Sequence, residues 1–85
     1  MREFNYTITD EIGIHARPAG IIAKKAKEFA ATTTITKDGK SAELRKLMAV
    51  MSLGIKHGDT VTITAEGADE DAAITALEDL FKTEL

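Results

Sequence analysis

Gly13-Ile14-His15-Ala16-Arg17-Pro18-Ala19 brings a histidine, an arginine and a proline together just ahead of a periodic apolar run. Ala19, Ile22, Ala23, Ala26 and Phe29 recur at spacings of three and four, which predicts a helix reaching about Phe29. His15 then stands at the helix entrance. The first N–H groups of a helix have no internal partner and carry the positive end of its dipole, so an anion placed there is stabilised. A phosphoryl group carried on His15 would be such an anion, with Ala16 and Arg17 as the phosphate-binding positions. The same field disfavours an imidazolium and favours the neutral, nucleophilic ring. Arg17 adds a permanently charged guanidinium that can hold two phosphate oxygens at once. Pro18 suits a first turn but biases Arg17 away from helical geometry, so the helix starts at Ala16 or as late as Pro18. A histidine before a helix is more often a cap or a solvated loop residue, and this trio alone does not establish chemistry.

The remaining composition narrows the classes. Eighty-five residues allow one domain, 1–85, with a modest core, in a size range that buries only ~60 % of its unfolded-chain surface. A deep enclosed active site is not expected, and a stand-alone hydrolase would need a second catalytic group and a pocket that no motif supplies. The chain has no cysteine and two histidines, which excludes disulfides and thiolate metal sites and leaves too few ligands for a structural zinc. Neither a metal nor a cofactor is implied. No apolar run has signal-peptide length or approaches the ~20 residues that span a bilayer. A cytoplasmic protein without membrane insertion is the expectation.

Net charge is −3, and nucleic-acid binding, which needs clustered cations, is not indicated. The distribution says more. Residues 1–59 carry ten Lys or Arg against seven Asp or Glu, a net +3, whereas 60–85 carry one against seven, a net −6. A basic half that contains His15 steers the molecule toward acidic protein surfaces.

The elements that must position His15 follow from the pattern. Phe4, Tyr6 and Ile8 alternate with Glu3, Asn5, Thr7 and Thr9 as in a half-buried strand. The β-branched run Thr32 to Thr36 and the turn pair Asp38-Gly39 predict a hairpin whose second strand is Lys40 to Glu43. A short helix is predicted from Lys46 to Leu53, a strand with Val61, Ile63 and Ala65 inward, and a last helix from Asp69 to Phe81 with Ile74, Leu77 and Phe81 on its stripe. The order is βαββαβα. Each strand has one apolar face, so the economical fold is α+β: an open-faced β-sandwich, a four-stranded antiparallel sheet covered on one face by three helices. The first and last strands are expected side by side near the sheet centre. His57, in a glycine-containing turn without nearby ligands, reads as a surface residue.

The short helix has too many apolar residues for one buried stripe. At about 100° per residue Leu47, Met48 and Met51 share a face, and Val50 and Leu53 lie on another. Only one face can reach the core. The first therefore reads as an exposed, adaptable docking patch, set against ordinary surface exposure of a few apolar side chains.

Four segments in register now carry a resemblance: Gly13-Ile14-His15-Ala16-Arg17-Pro18-Ala19, Lys37-Asp38-Gly39-Lys40-Ser41, Leu47-Met48-Ala49-Val50-Met51-Ser52-Leu53-Gly54 and Val61-Thr62-Ile63-Thr64-Ala65-Glu66-Gly67. Over essentially its whole length the chain resembles the histidine-containing phosphocarrier (HPr) family of the bacterial phosphoenolpyruvate-dependent sugar phosphotransferase system. The resemblance implies that His15 takes a phosphoryl group on Nδ1 from phosphorylated enzyme I and passes it to enzyme IIA domains of sugar transporters, without independent turnover. It implies that Arg17 supports the group in both transfers, that Leu47, Met48 and Met51 form the docking surface, and that Lys24 and Lys27 are its basic flank. A monomer is expected. Many Gram-positive members begin the second helix with a regulatory serine; here that position is Lys46, which cannot accept phosphate, and neither Ser41 nor Ser52 occupies it. With Arg45 it also places two cations at a helix start, disfavoured by roughly 0.3–1 kcal/mol each. The rival readings are a regulatory HPr-like module that docks on other proteins and a nitrogen-branch phosphocarrier with the same chemistry. Retention of His15 and Arg17 favours a carrier.

Overall fold

The computed structural model describes residues 1–85, in the order β1 (Arg2–Thr7), α1 (Ala16–Ala26), β2 (Thr32–Lys37), β3 (Lys40–Glu43), α2 (Leu47–Ser52), β4 (Thr60–Glu66) and α3 (Glu70–Glu84). The four strands form one antiparallel sheet in the order β1-β4-β2-β3. β1 and β2 both run antiparallel to the β4 between them and are therefore parallel to each other. The same logic relates β3 and β4 across β2. Parallel strands cannot be joined by a tight turn, so each of these connections carries a helix across the sheet.

Register puts like with like. Phe4, Ile63, Ile35 and Ala42 form one row across all four strands on the covered face. Ile8, Ile22, Ile35, Leu44, Val50, Val61, Ile63, Leu77 and Phe81 are fully buried between sheet and helices. Phe81 of α3 meets Phe4 and Tyr6 of β1 edge-on, with ring centroids 5.8 and 5.9 Å apart. Such pairs contribute about 0.5–1.5 kcal/mol beyond the area they bury. The opposite face is open and hydroxyl-rich: Thr7 bonds Thr60 at 2.9 Å, Thr36 bonds Ser41 at 2.8 Å, and Thr62 Oγ1 donates to Asn5 Oδ1 at 2.7 Å. These cross-strand pairs hold the strands together without a second layer. The hairpin turn between Lys37 and Lys40 has φ 50° at Asp38 and 80° at Gly39, as the two-residue turn that matches strand twist requires.

Three expectations change. The first and last strands are neighbours, but β1 is an edge strand, and only β4 of the two is flanked on both sides. Burial agrees, since Phe4 and Tyr6 are half-buried whereas Val61, Ile63 and Ala65 are fully enclosed. α1 stops at Ala26 rather than near Phe29, because Glu28 and Phe29 donate to the carbonyls three residues back and tighten the last turn. α3 begins one residue after its cap Asp69 and runs on to Glu84, since Leu85 is itself buried and its N–H bonds the Phe81 carbonyl at 2.8 Å.

Candidate functional site

α1 begins at Ala16, the earlier of the two predicted starts, and His15 is its N-cap residue in extended conformation, φ −116° and ψ −174°. The His15 carbonyl accepts the Ala19 N–H at 3.0 Å, but the imidazole makes no capping hydrogen bond. Pro18, buried at the third helical position, explains part of this, because it offers no N–H to a cap side chain. The Ala16 and Arg17 N–H groups have no partner within the protein. An uncapped helix start therefore faces solvent beside a half-buried, uncommitted imidazole. Arg17 is exposed and takes part in no ion pair.

His15, Arg17 and Pro18 line a surface depression of about 240 Å³ together with Asp10 and Glu84. The sequence pointed to neither carboxylate. Asp10 shapes the approach: its Oδ1 accepts the Ile12 N–H at 2.9 Å and its carbonyl the Gly13 N–H at 3.1 Å. Glu84 arrives from the far end of the chain on the last turn of α3. The Leu85 carbonyl then pins the same loop by accepting the Thr9 and Asp10 N–H groups and the Thr9 hydroxyl. The short stretch between β1 and α1 could have drawn attention to Asp10; only a correctly long α3 would have found Glu84.

The support under His15 is a second turn. Ile14 N–H donates to the Ile55 carbonyl at 3.1 Å. Gly13, with φ +82°, lies so close to that turn that a Cβ would sit 2.4 Å from the Ile55 carbonyl oxygen and 2.6 Å from Lys56 Cα. Glycine is required there both by the backbone conformation and by the approach.

The predicted docking residues divide by exposure. Met48 is 74 % exposed, whereas Leu47 and Met51 are half-buried and pack partly against the core, which Val50 enters fully. The patch is thus a low ridge rather than a fully bare face. Lys24 and Lys27 are exposed at the end of α1, and α1 packs against α2 and α3. Lys46 caps α2 through its backbone only and pairs with Glu43 at 3.2 Å, an exposed contact that also relieves the charge clash at the helix start. His57 is exposed, away from the depression that His15 lines. No cluster of three or more His, Cys, Asp or Glu could hold a metal ion, and no helix is long and apolar enough to cross a membrane.

The uncapped helix start on an open-faced sandwich places this chain beside small carrier proteins, and comparison bears out that class. Residues 2–83 match the family model described as the PTS HPr component phosphorylation site. The phosphocarrier protein HPr of Mycoplasma capricolum is 44 % identical over 78 residues, 92 % of this chain and 88 % of the relative. A solved histidine-containing phosphocarrier protein from Mycoplasma superposes with a TM-score of 0.94 at 40 % identity, covering 96 % of this chain and 93 % of that one. An HPr dimer from Thermoanaerobacter tengcongensis matches with a TM-score of 0.79 at 38 % identity, covering 99 % and 97 %. The chain belongs to the HPr family, the phosphocarrier proteins of the phosphotransferase system.

Proposed function

We propose that residues 1–85 act as a single, monomeric phosphocarrier domain whose His15 Nδ1 accepts a phosphoryl group from phosphorylated enzyme I and gives it to enzyme IIA domains. The observation that carries this reading is the uncommitted imidazole at a helix start whose Ala16 and Arg17 N–H groups lack partners. In each transfer the bond from phosphorus to the donor atom breaks as the bond to the acceptor forms, around a loose transition state whose charge sits on three equatorial oxygens. Arg17 and the two N–H groups supply positive charge where those oxygens come to rest. The shallow depression leaves the reacting atom accessible, so alignment comes from docking rather than from an enclosed pocket. Met48 with Leu47 and Met51 supplies the apolar contact, and Lys24 and Lys27 the basic flank that draws acidic partners.

A cytoplasmic location accords with this role. Lys46 at the position of the regulatory serine removes the serine-kinase input, so control by that route is absent. Onward transfer is the test. Phosphorylated protein, freed of enzyme I and mixed with a IIA domain, should lose its acid-labile phosphate as the IIA domain gains it; phosphate that stays on this chain, or appears only as inorganic phosphate, contradicts the carrier role.

A further inference from the structure

The turn 54–59 between α2 and β4 is held from beneath by one side chain. Lys37, at the end of β2, donates from Nζ to the Gly54 carbonyl at 3.2 Å and pairs with Asp59 Oδ2 at 2.8 Å. The two side chains are only 18 % and 29 % exposed, which spares the pair much of the screening met at a fully wet surface. Asp59 Oδ2 also accepts the Lys56 N–H at 2.8 Å, and Asp59 N–H donates to the Lys56 carbonyl at 3.0 Å, so the turn is closed on itself. The carboxyl of Asp59 is held below its ordinary range, first by the Lys37 hydrogen bond and then by the Lys56 N–H, and it stays ionised through mildly acidic conditions.

The other side of this turn faces the functional site. Its Ile55 carbonyl takes the Ile14 N–H, and Gly13 packs against Ile55 and Lys56 at a distance that only glycine allows. Gly58 N–H and the Asp59 carbonyl bracket Ile8 at the start of the same loop, each at 2.9 Å. Both ends of the segment from Ile8 to Ile14 therefore rest on a turn whose shape Lys37 and Asp59 set. His15 is the next residue along.

We propose that Lys37 and Asp59 are positioning residues for phosphoryl transfer: their ion pair fixes the Ile55 carbonyl, which fixes Ile14 and with it the place of the His15 imidazole at the start of α1. Neither touches the phosphoryl group. The inference rests on the reading of His15 as the acceptor. Misplacement of a reacting group by about 1 Å can cost on the order of 100-fold in rate, so a clamp two hydrogen bonds away has leverage. Substrate docking does not run through it, because Lys24, Lys27 and Met48 lie on exposed helix surfaces.

The test compares the wild type with Lys37→Met, Asp59→Asn and the conservative Lys37→Arg. Phosphorylation by phosphorylated enzyme I is followed over a range of carrier concentrations, and hydrogen exchange of the Ile14 amide is followed separately by NMR in the unphosphorylated protein. For K37M and D59N the expected result is a kcat lowered about tenfold or more with KM unchanged, and Ile14 exchange accelerated to a similar degree while the Val61 and Ile63 amides of β4 stay protected. K37R should recover most of both. A K37M protein that transfers at the wild-type rate, or whose amides all lose protection together, overturns the clamp and leaves an ordinary stabilising ion pair. A wild type that takes no phosphoryl group overturns the carrier reading itself, an outcome the Ile14 exchange data do not affect.

Discussion

Replacing Gly13 by alanine separates two costs that the structure predicts independently. Gly13 and Gly54 both have left-handed backbone, at φ +82° and +64°, but a Cβ at 54 meets nothing within 4 Å whereas one at 13 runs into the Ile55 carbonyl and Lys56 Cα. Left-handed geometry costs an alanine about 1–2 kcal/mol. Gly54→Ala should lose only that. Gly13→Ala adds a clash with two backbone atoms, neither of which can swing aside, and overpacking of this kind costs a further ~1–3 kcal/mol. The total of ~2–5 kcal/mol is a large share of the ~4–13 kcal/mol expected for 85 residues. At roughly 6 °C per kcal/mol for a domain of this size, the melting temperature should fall by about 6–12 °C in G54A and about 12–30 °C in G13A. Thermal unfolding by circular dichroism reads the difference directly. Transfer from enzyme I, measured well below both midpoints, should also slow in G13A, since the clash falls on the carbonyl that holds Ile14. Equal losses in the two variants would refute the close approach, and unimpaired transfer in G13A would refute its bearing on His15.

Arg17→Ala should slow transfer by about 10–100-fold through loss of one charge-assisted interaction, with stability changed by no more than about 0.5 kcal/mol because Arg17 is exposed and unpaired; an unchanged rate removes its role. Lys24→Glu with Lys27→Glu should lower the association rate with enzyme I strongly at low salt and little at high salt, and stopped-flow data without that dependence would exclude basic steering. Asp69 receives the Ala30 and Ala31 N–H groups at 2.8 and 2.7 Å, and these hold its carboxyl below the usual range, Ala30 most. Its folded value being depressed, its contribution to stability is present above the ordinary carboxylate value of ~3.9 and is lost as pH falls through the folded value. The melting temperatures of wild type and Asp69→Asn should therefore differ at neutral pH and converge as pH falls through the depressed folded value; a constant gap would contradict the assignment.

What was legible in the sequence was what is local. His15, Arg17 and Pro18 sit within one turn of each other, so their relation needed no tertiary knowledge, and alternation in β4 named its buried residues correctly. Alternation tells which face a side chain takes but not which strand lies beside it, and so β1 was placed too near the centre. The run Thr32 to Thr36 has threonine at four of its five positions, and only Ile35, two residues on, marks Thr33 as inward; pairing with Ala65 agrees, and its buried Oγ1 is left without a partner. Glu84 and the Lys37–Asp59 pair were invisible because each joins the site across a long stretch of chain, whereas Asp10, only five residues before His15, was missed because no motif singled it out. The exposure of Leu47 and Met51 was overread, since a helical wheel gives directions without saying how far a small core reaches around a six-residue helix.

The central claim is that His15 carries a phosphoryl group. Intact-protein mass after incubation with phosphoenolpyruvate, magnesium and an active enzyme I tests it most directly. One acid-labile phosphoryl group is expected on the wild type and none on a folded His15→Ala variant; phosphorylation of that variant, or none on the wild type beside a control carrier that is modified, would contradict a role for His15.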